Sequence, residues 1–129
     1  MEQHGQRDKR CIQDVGSPVA AIVAALELLG AYAEKFQSCR IWAEYIAISA
    51  RLMLWSQCQW AIDGFRVLQP MPDRDDSDLL WSSQGKIALA AADKTKALFC
   101  FSQTRHPYYR KIHHNLQQWQ AQGEMSKLL

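Results

Sequence analysis

Apolar positions recur along this chain at three- and four-residue spacing, and period-2 alternation is absent. Only four prolines and six glycines interrupt the pattern. Ser17-Pro18 reads as an N-cap followed by proline at the first helical position, where its missing N–H costs nothing. From Pro18 to about Phe36, Val19, Ile22, Val23, Leu26, Leu29 and Ala33 share one helical face. The alanines at 20, 21, 24 and 25 favour helix and let a neighbour approach closely. Residues 1–16 are polar and read as a frayed end or a short helix.

The longest apolar element runs from Ile41 to Leu68. Its polar stripe begins as Arg40, Glu44, Ala47 and Arg51, then continues as Ser56, Gln59, Asp63 and Arg66. Five residues turn an α-helix by about 500°, so the step from 51 to 56 rotates the stripe by about 140°. The buried face therefore changes near Leu52–Trp55. Either one central helix meets different neighbours at its two ends, or the helix kinks or breaks there. With no proline to cause a break, one continuous central helix over 41–68 is the expectation.

Pro70 and Pro72 stop that element, and the run Asp73-Arg74-Asp75-Asp76-Ser77-Asp78 starts the next. A helix from Asp78 to about Ser102 follows, with Leu79, Leu80, Ile87, Leu89, Ala90, Leu98 and Phe101 as core candidates and Gly85 as its weak point. Pro107 opens a last helix to about Gln122, with Gly123 as the stop signal. Its inward seam reads Tyr108, Ile112, Leu116 (or Asn115) and Trp119. These elements predict an all-α fold, a compact bundle of four to five mostly antiparallel helices around a long central one. No internal repeat or sustained heptad pattern is present.

A length of 129 residues fits one domain, and 48% apolar against 22% charged residues is ordinary globular usage. The net charge of +2 is too small to act as a whole, so only its distribution is informative. From Lys86 onward seven Lys/Arg face two acids, a balance of +5. Residues 1–72 balance to zero, and the segment 73–78 carries four Asp against Arg74. The contrast is one acidic helix cap beside one basic C-terminal region.

Cys11, Cys39, Cys58 and Cys100 lack the close pairing of a zinc or redox site. Reduced structural thiols in a cytoplasmic compartment are expected. Arg7, Lys9 and Arg10 ahead of Val19–Leu29 outline a signal peptide, but Glu2, Asp8, Asp14 and Glu27 count against one. No stretch reaches the roughly 20 apolar residues of a membrane span.

The segment Arg105-His106-Pro107-Tyr108-Tyr109-Arg110-Lys111-Ile112-His113-His114 mixes cations with aromatics. With the seam inward, Arg110, Lys111, His114, Gln117 and Gln118 fall on the open side. Arginine offers a forked donor to phosphate oxygens and lysine a point charge. Tyr109 and His106 have faces on which unpaired bases stack. Candidate nucleic-acid contacts are Arg105, Tyr109, Arg110, Lys111 and His114, with Lys94 and Lys96 from the preceding helix. The bland alternative is a solvated face whose cations balance the acidic loop.

Other chemistry fits less well. His113 and His114 diverge by about 100° on a helix, which argues against a shared metal ion. Arg110 to His114 and Arg105 to His113 both miss the R-x(4–6)-H spacing of HEPN-type ribonucleases. The aspartate run lacks the glycine and glutamate of a calcium loop and reads as a helix cap. Gly-rich phosphate loops, G-x-S-x-G and H-E-x-x-H are absent. No cofactor or metal is expected. Five tryptophans are many for this length; most read as core, with Trp42, Trp55 and Trp60 as candidates for a subunit contact.

In size and class the chain resembles the small helical subunits of RNA-guided, CRISPR-type complexes, with no shared motif. The expectation is a non-enzymatic accessory subunit that packs on protein partners, or on itself, and touches nucleic acid through its C-terminal basic face. The alternative is a protein-interaction or oligomeric scaffold module without nucleic acid. An enzyme with a dispersed site is the third class.

Overall fold

The computed structural model describes residues 18–128, and side chains through Gln122. Cys11, the Ser17 cap and the polar segment 1–16 lie outside the described residues. All described elements are helices: α1 Pro18–Phe36, α2 Cys39–Arg51, α3 Trp55–Leu68, α4 Arg74–Ala90, α5 Lys94–Ser102 and α6 Pro107–Leu128. The all-α expectation holds, with six described helices instead of four or five.

The expected central helix over 41–68 is two helices. Met53 sits at φ 60°. Its N–H donates to the Ala50 carbonyl at 3.1 Å, and the Leu54 N–H to the Ser49 carbonyl at 2.9 Å. That pair of bonds is a Schellman ending, which satisfies the last carbonyls of α2 and turns the chain. The rotation of the polar stripe between 51 and 56 therefore marks a break, not a change of neighbours along one rod. The expected helix over 78–102 is corrected in the same way. Ala92 also lies at φ 60°, with Ala92 N–H to Leu89 and Asp93 N–H to Ala88 closing α4. Gly85, the expected weak point, is helical, and so is Gly123, through which α6 continues to Leu128.

α2, α4 and α5 start on side-chain caps, whereas α3 starts after Leu54 without one. Ser38 Oγ accepts from the Ile41 N–H, Asp73 Oδ1 from Asp76 and Asp93 Oδ1 from Lys96. Each fills one of the amide donors that a helix start leaves open. The aspartate run is thus a helix cap, as its composition suggested. α4 begins at Arg74, which places Asp78 in its second turn.

Glycines of one helix lie under aromatic rings of a neighbouring helix. The Trp42 ring of α2 lies 2.7 Å from where a Cβ on Gly64 of α3 would be, and Phe101 of α5 stands 2.6 Å from the same point on Gly85 of α4. Gly30 of α1 receives Tyr45 and Trp60. One core joins α1 to α4 around Leu26, Ile46, Ile62, Phe65 and Leu80. A second, smaller one joins α4, α5 and α6 around Ala88, Ala97 and Phe101. Arg66 ties α3 to α4, donating to Gln84 Oε1 at 2.9 Å and lying over the Trp81 ring. α1 and α6 sit at opposite ends of this series, α1 on the α2–α3 pair and α6 on α5.

Candidate nucleic-acid interface

α5 and α6 form a hairpin held by a shallow apolar seam and a few polar contacts. Only Tyr109, Ile112 and Leu116 of α6 pack on the second core, and all three are half-buried. The entry to α6 is fixed by Asp78 of α4, whose carboxylate accepts the Arg105 and His106 N–H groups, both at 2.9 Å. His106 Nδ1 accepts the Tyr108 N–H, so the imidazole completes the cap ahead of Pro107. At the other end Lys94 Nζ stands 3.8 Å from the centre of the Trp119 ring, a cation–π contact joining the start of α5 to the far part of α6.

From Lys94 to Gln122 the chain runs 29 residues with five Lys/Arg and no Asp or Glu. All five cations, Lys94, Lys96, Arg105, Arg110 and Lys111, are exposed. Among the described residues no carboxylate comes within ion-pair distance of any of them; the ion pair that is present, Arg40–Glu44, lies on α2. No carboxylate lies within the stretch itself; Asp93 caps its start, and the aspartates of 73–78 meet it near Arg105.

These cations differ in freedom. Arg110 donates from Nη1 to the Ser102 carbonyl at 3.2 Å, placing its charge on the C-terminal, negative end of α5. Lys94 is drawn onto Trp119. Arg105 borders a polar cleft of about 380 Å³ with Asp73, Arg74, Ser77, Asp78 and Gln103. The acidic cap and the basic region therefore meet, but at one corner, and the carboxylate there is spent on backbone amides. Lys96 and Lys111 have no such engagement.

His114 and Gln118 follow Arg110 at one-turn spacing, and all are exposed. This row, flanked by Lys111 and Gln117, forms the outer face of α6. His113 lies to its side, half-buried beside Leu98, Gln117 and Gln120. Desolvation, then the charges of Arg110 and His114, hold its pKa below the ordinary 6.5.

The aromatic assignment needs correcting. Tyr109, expected to stack on bases, turns inward, its ring 6.5 Å from Phe101 and 5.7 Å from His106. Tyr108, expected in the seam, is 60% exposed, and Trp119 is 51% exposed. Ile112 and Leu116 hold their expected places in the seam, while Tyr109 stands in it instead of Tyr108 and Trp119 lies outside it. Helical spacing fits both choices; the Phe101 ring it packs against decides between them, and sequence cannot place that ring.

The tryptophans divide likewise. Trp42 is 5% exposed, wedged against Gly64, and offers no surface to a partner. Trp55 is half-buried, and Trp60 is 41% exposed while edge-on to Trp42 and Tyr45. Cys58 and Cys100 are buried free thiols, and desolvation raises both pKa values, which suppresses the reactive thiolate. Among the described residues no three His, Cys, Asp or Glu side chains gather to hold a metal ion. No helix among them is long and apolar enough to cross a membrane. Comparison with protein-family models, curated proteins and solved structures finds no match to this chain.

Proposed function

We propose that this chain is a non-enzymatic accessory subunit of a larger cytoplasmic assembly, and that it contacts nucleic-acid backbone through the α5–α6 hairpin. The observation that carries this is the carboxylate-free stretch from Lys94 to Gln122, with its five cations exposed. Lys96 and Lys111 supply point charges to phosphates, Arg105 and Arg110 forked donors, and His114, Gln117 and Gln118 neutral hydrogen bonds along the same face. Tyr108 takes the stacking role first given to Tyr109. Backbone contact of this kind predicts weak dependence on sequence.

The test compares labelled single- and double-stranded oligonucleotides by fluorescence anisotropy. Lys96→Gln/Lys111→Gln removes two exposed charges that bond to nothing in the fold. Its salt slope should be smaller by roughly 2 and its affinity lower on every sequence, with an unchanged circular dichroism spectrum. Arg51→Gln, on the exposed end of α2, should bind as the parent does. Equal binding by the hairpin variant and the parent would remove the site assignment.

A further inference from the structure

α1 is apolar around most of its circumference, yet only about a third of it is covered. Of its residues only Glu27, Glu34 and Lys35 are charged. Leu26, Gly30 and Ala33 are buried against the α2–α3 pair, with Val23 and Leu29 half-buried beside them. Another side of the helix carries Ala21, Ala25, Leu28, Tyr32 and Phe36, at spacings of four, three, four and four. At 100° per residue these five fall within about 80° of arc, one continuous stripe. All five are exposed: Leu28 57%, Tyr32 45% and Phe36 61% among them. A helix apolar on nearly every side is ordinarily buried on nearly every side.

The residue sizes along the stripe say what covers it. Its N-terminal half is small (Ala21, Ala25) and its C-terminal half large (Tyr32, Phe36), with Leu28 between. An antiparallel copy of the same helix, related by a two-fold axis beside Leu28, sets Phe36 over Ala21 and Tyr32 over Ala25, twice. Tyr32 and Phe36 then meet alanines while the two Leu28 side chains meet each other at the axis, which lets the two axes approach and the rings seat between helix turns. Charge allows the same pairing. Glu27 and Glu34 project well away from the stripe, and the two Lys35 side chains end up at opposite ends of the paired helices. With Ile22 and the flanking alanines the apolar area is roughly 500 Å² per copy, so a dimer buries about 1,000 Å² in all, the lower bound of a specific interface.

We propose that α1 is a self-association surface, packing antiparallel on α1 of a second copy through Ala21, Ala25, Leu28, Tyr32 and Phe36. The stripe lies at the far end of the helix series from α6, so a dimer carries two basic hairpins that do not compete with the interface.

Sedimentation velocity of the full chain without nucleic acid, at on the order of 50 µM, tests this. The expected mass is twice the 14.8 kDa of the chain. Ala25→Glu/Leu28→Glu places four carboxylates on the seam of a dimer. It should weaken association at least a hundredfold while retaining the helical circular dichroism of the parent. Register is read from mild oxidation of single-cysteine additions. Leu28→Cys, beside the axis, should form a disulfide with its own copy, whereas Phe36→Cys, about 22 Å from its counterpart, should not. A parent chain that is monomeric, a dimer indifferent to the double glutamate change, or cross-linking at Phe36→Cys without Leu28→Cys would each overturn the proposal. So would a monomer that co-sediments with phosphatidylcholine vesicles and loses that ability on Ala25→Glu/Leu28→Glu, since the stripe would then face lipid.

Discussion

Residues in uncommon places carry the decisive structural information in this chain. Met53 and Ala92 take the left-handed conformation that glycine usually fills, and both are exposed, so their side chains gain little there. Met53→Gly and Ala92→Gly should each raise the urea unfolding free energy by about 0.5–1 kcal/mol, the relief of strain exceeding the added freedom of the unfolded chain. The change Ala121→Gly, inside α6, should lower it by a similar amount. The buried glycines behave in the opposite way. Gly64→Ala and Gly85→Ala drive a methyl into the Trp42 and Phe101 rings, both enclosed on their other sides. Each should cost about 1–3 kcal/mol despite the better helix propensity of alanine. Phe101→Leu should recover part of the loss in the Gly85→Ala background. Glycine was the punctuation mark expected at helix ends, and here it is a slot for a ring. Gly85, expected as a weak point, is such a slot, and Gly123, expected as a stop, lies within α6, while Met53 and Ala92 gave no signal.

At the scale of elements, α1 was legible from sequence to the residue, because a proline start and a long apolar stretch define it. The division of 41–68 was legible as a rotated polar stripe, but the choice between break and bend depends on a cap built from backbone bonds. α6 depends on Asp78, a residue 27 positions away from the first amide it caps. Asp78→Ala should lower stability by about 1–2 kcal/mol, and exchange protection at the Arg105 and His106 amides should fall with it. Asp78→Asn keeps one of the two oxygen acceptors, so it should cost less stability than alanine, and by removing a charge beside Arg105 it should tighten binding to an oligonucleotide. α6 also carries a pH dependence through His113. Its folded pKa lies below 6.5, so the unfolded chain takes up the proton more readily. Stability should be full above about 6.5 and decline as pH falls below it. In His113→Gln, thermal melts between pH 7.5 and 5.5 should lose that part of the decline.

For the molecule as a whole, the arrangement separates two surfaces of different character. The basic hairpin closes the chain at one end, and the apolar stripe of α1 lies at the other. The acidic cap at 73–78 sits against the hairpin at one corner only, leaving Lys96, Lys111 and the outer row of α6 open to solvent. Sequence showed that the two charge runs exist; which of them meet is set by the α4–α5 turn at Ala92, which no residue pattern announced. Two hairpins in a dimer would engage one strand together, so a long oligonucleotide should bind more tightly than a short one by more than its extra sites account for. The central claim is that the hairpin binds nucleic acid by charge. It is tested most directly by anisotropy with a single-stranded oligonucleotide at salt concentrations from about 50 to 300 mM. If the account holds, the logarithm of the affinity falls linearly with the logarithm of salt, by roughly 0.7 per phosphate engaged, and the line is shallower for Lys96→Gln/Lys111→Gln. Absence of binding at about 50 mM salt, or binding indifferent to salt, would contradict it.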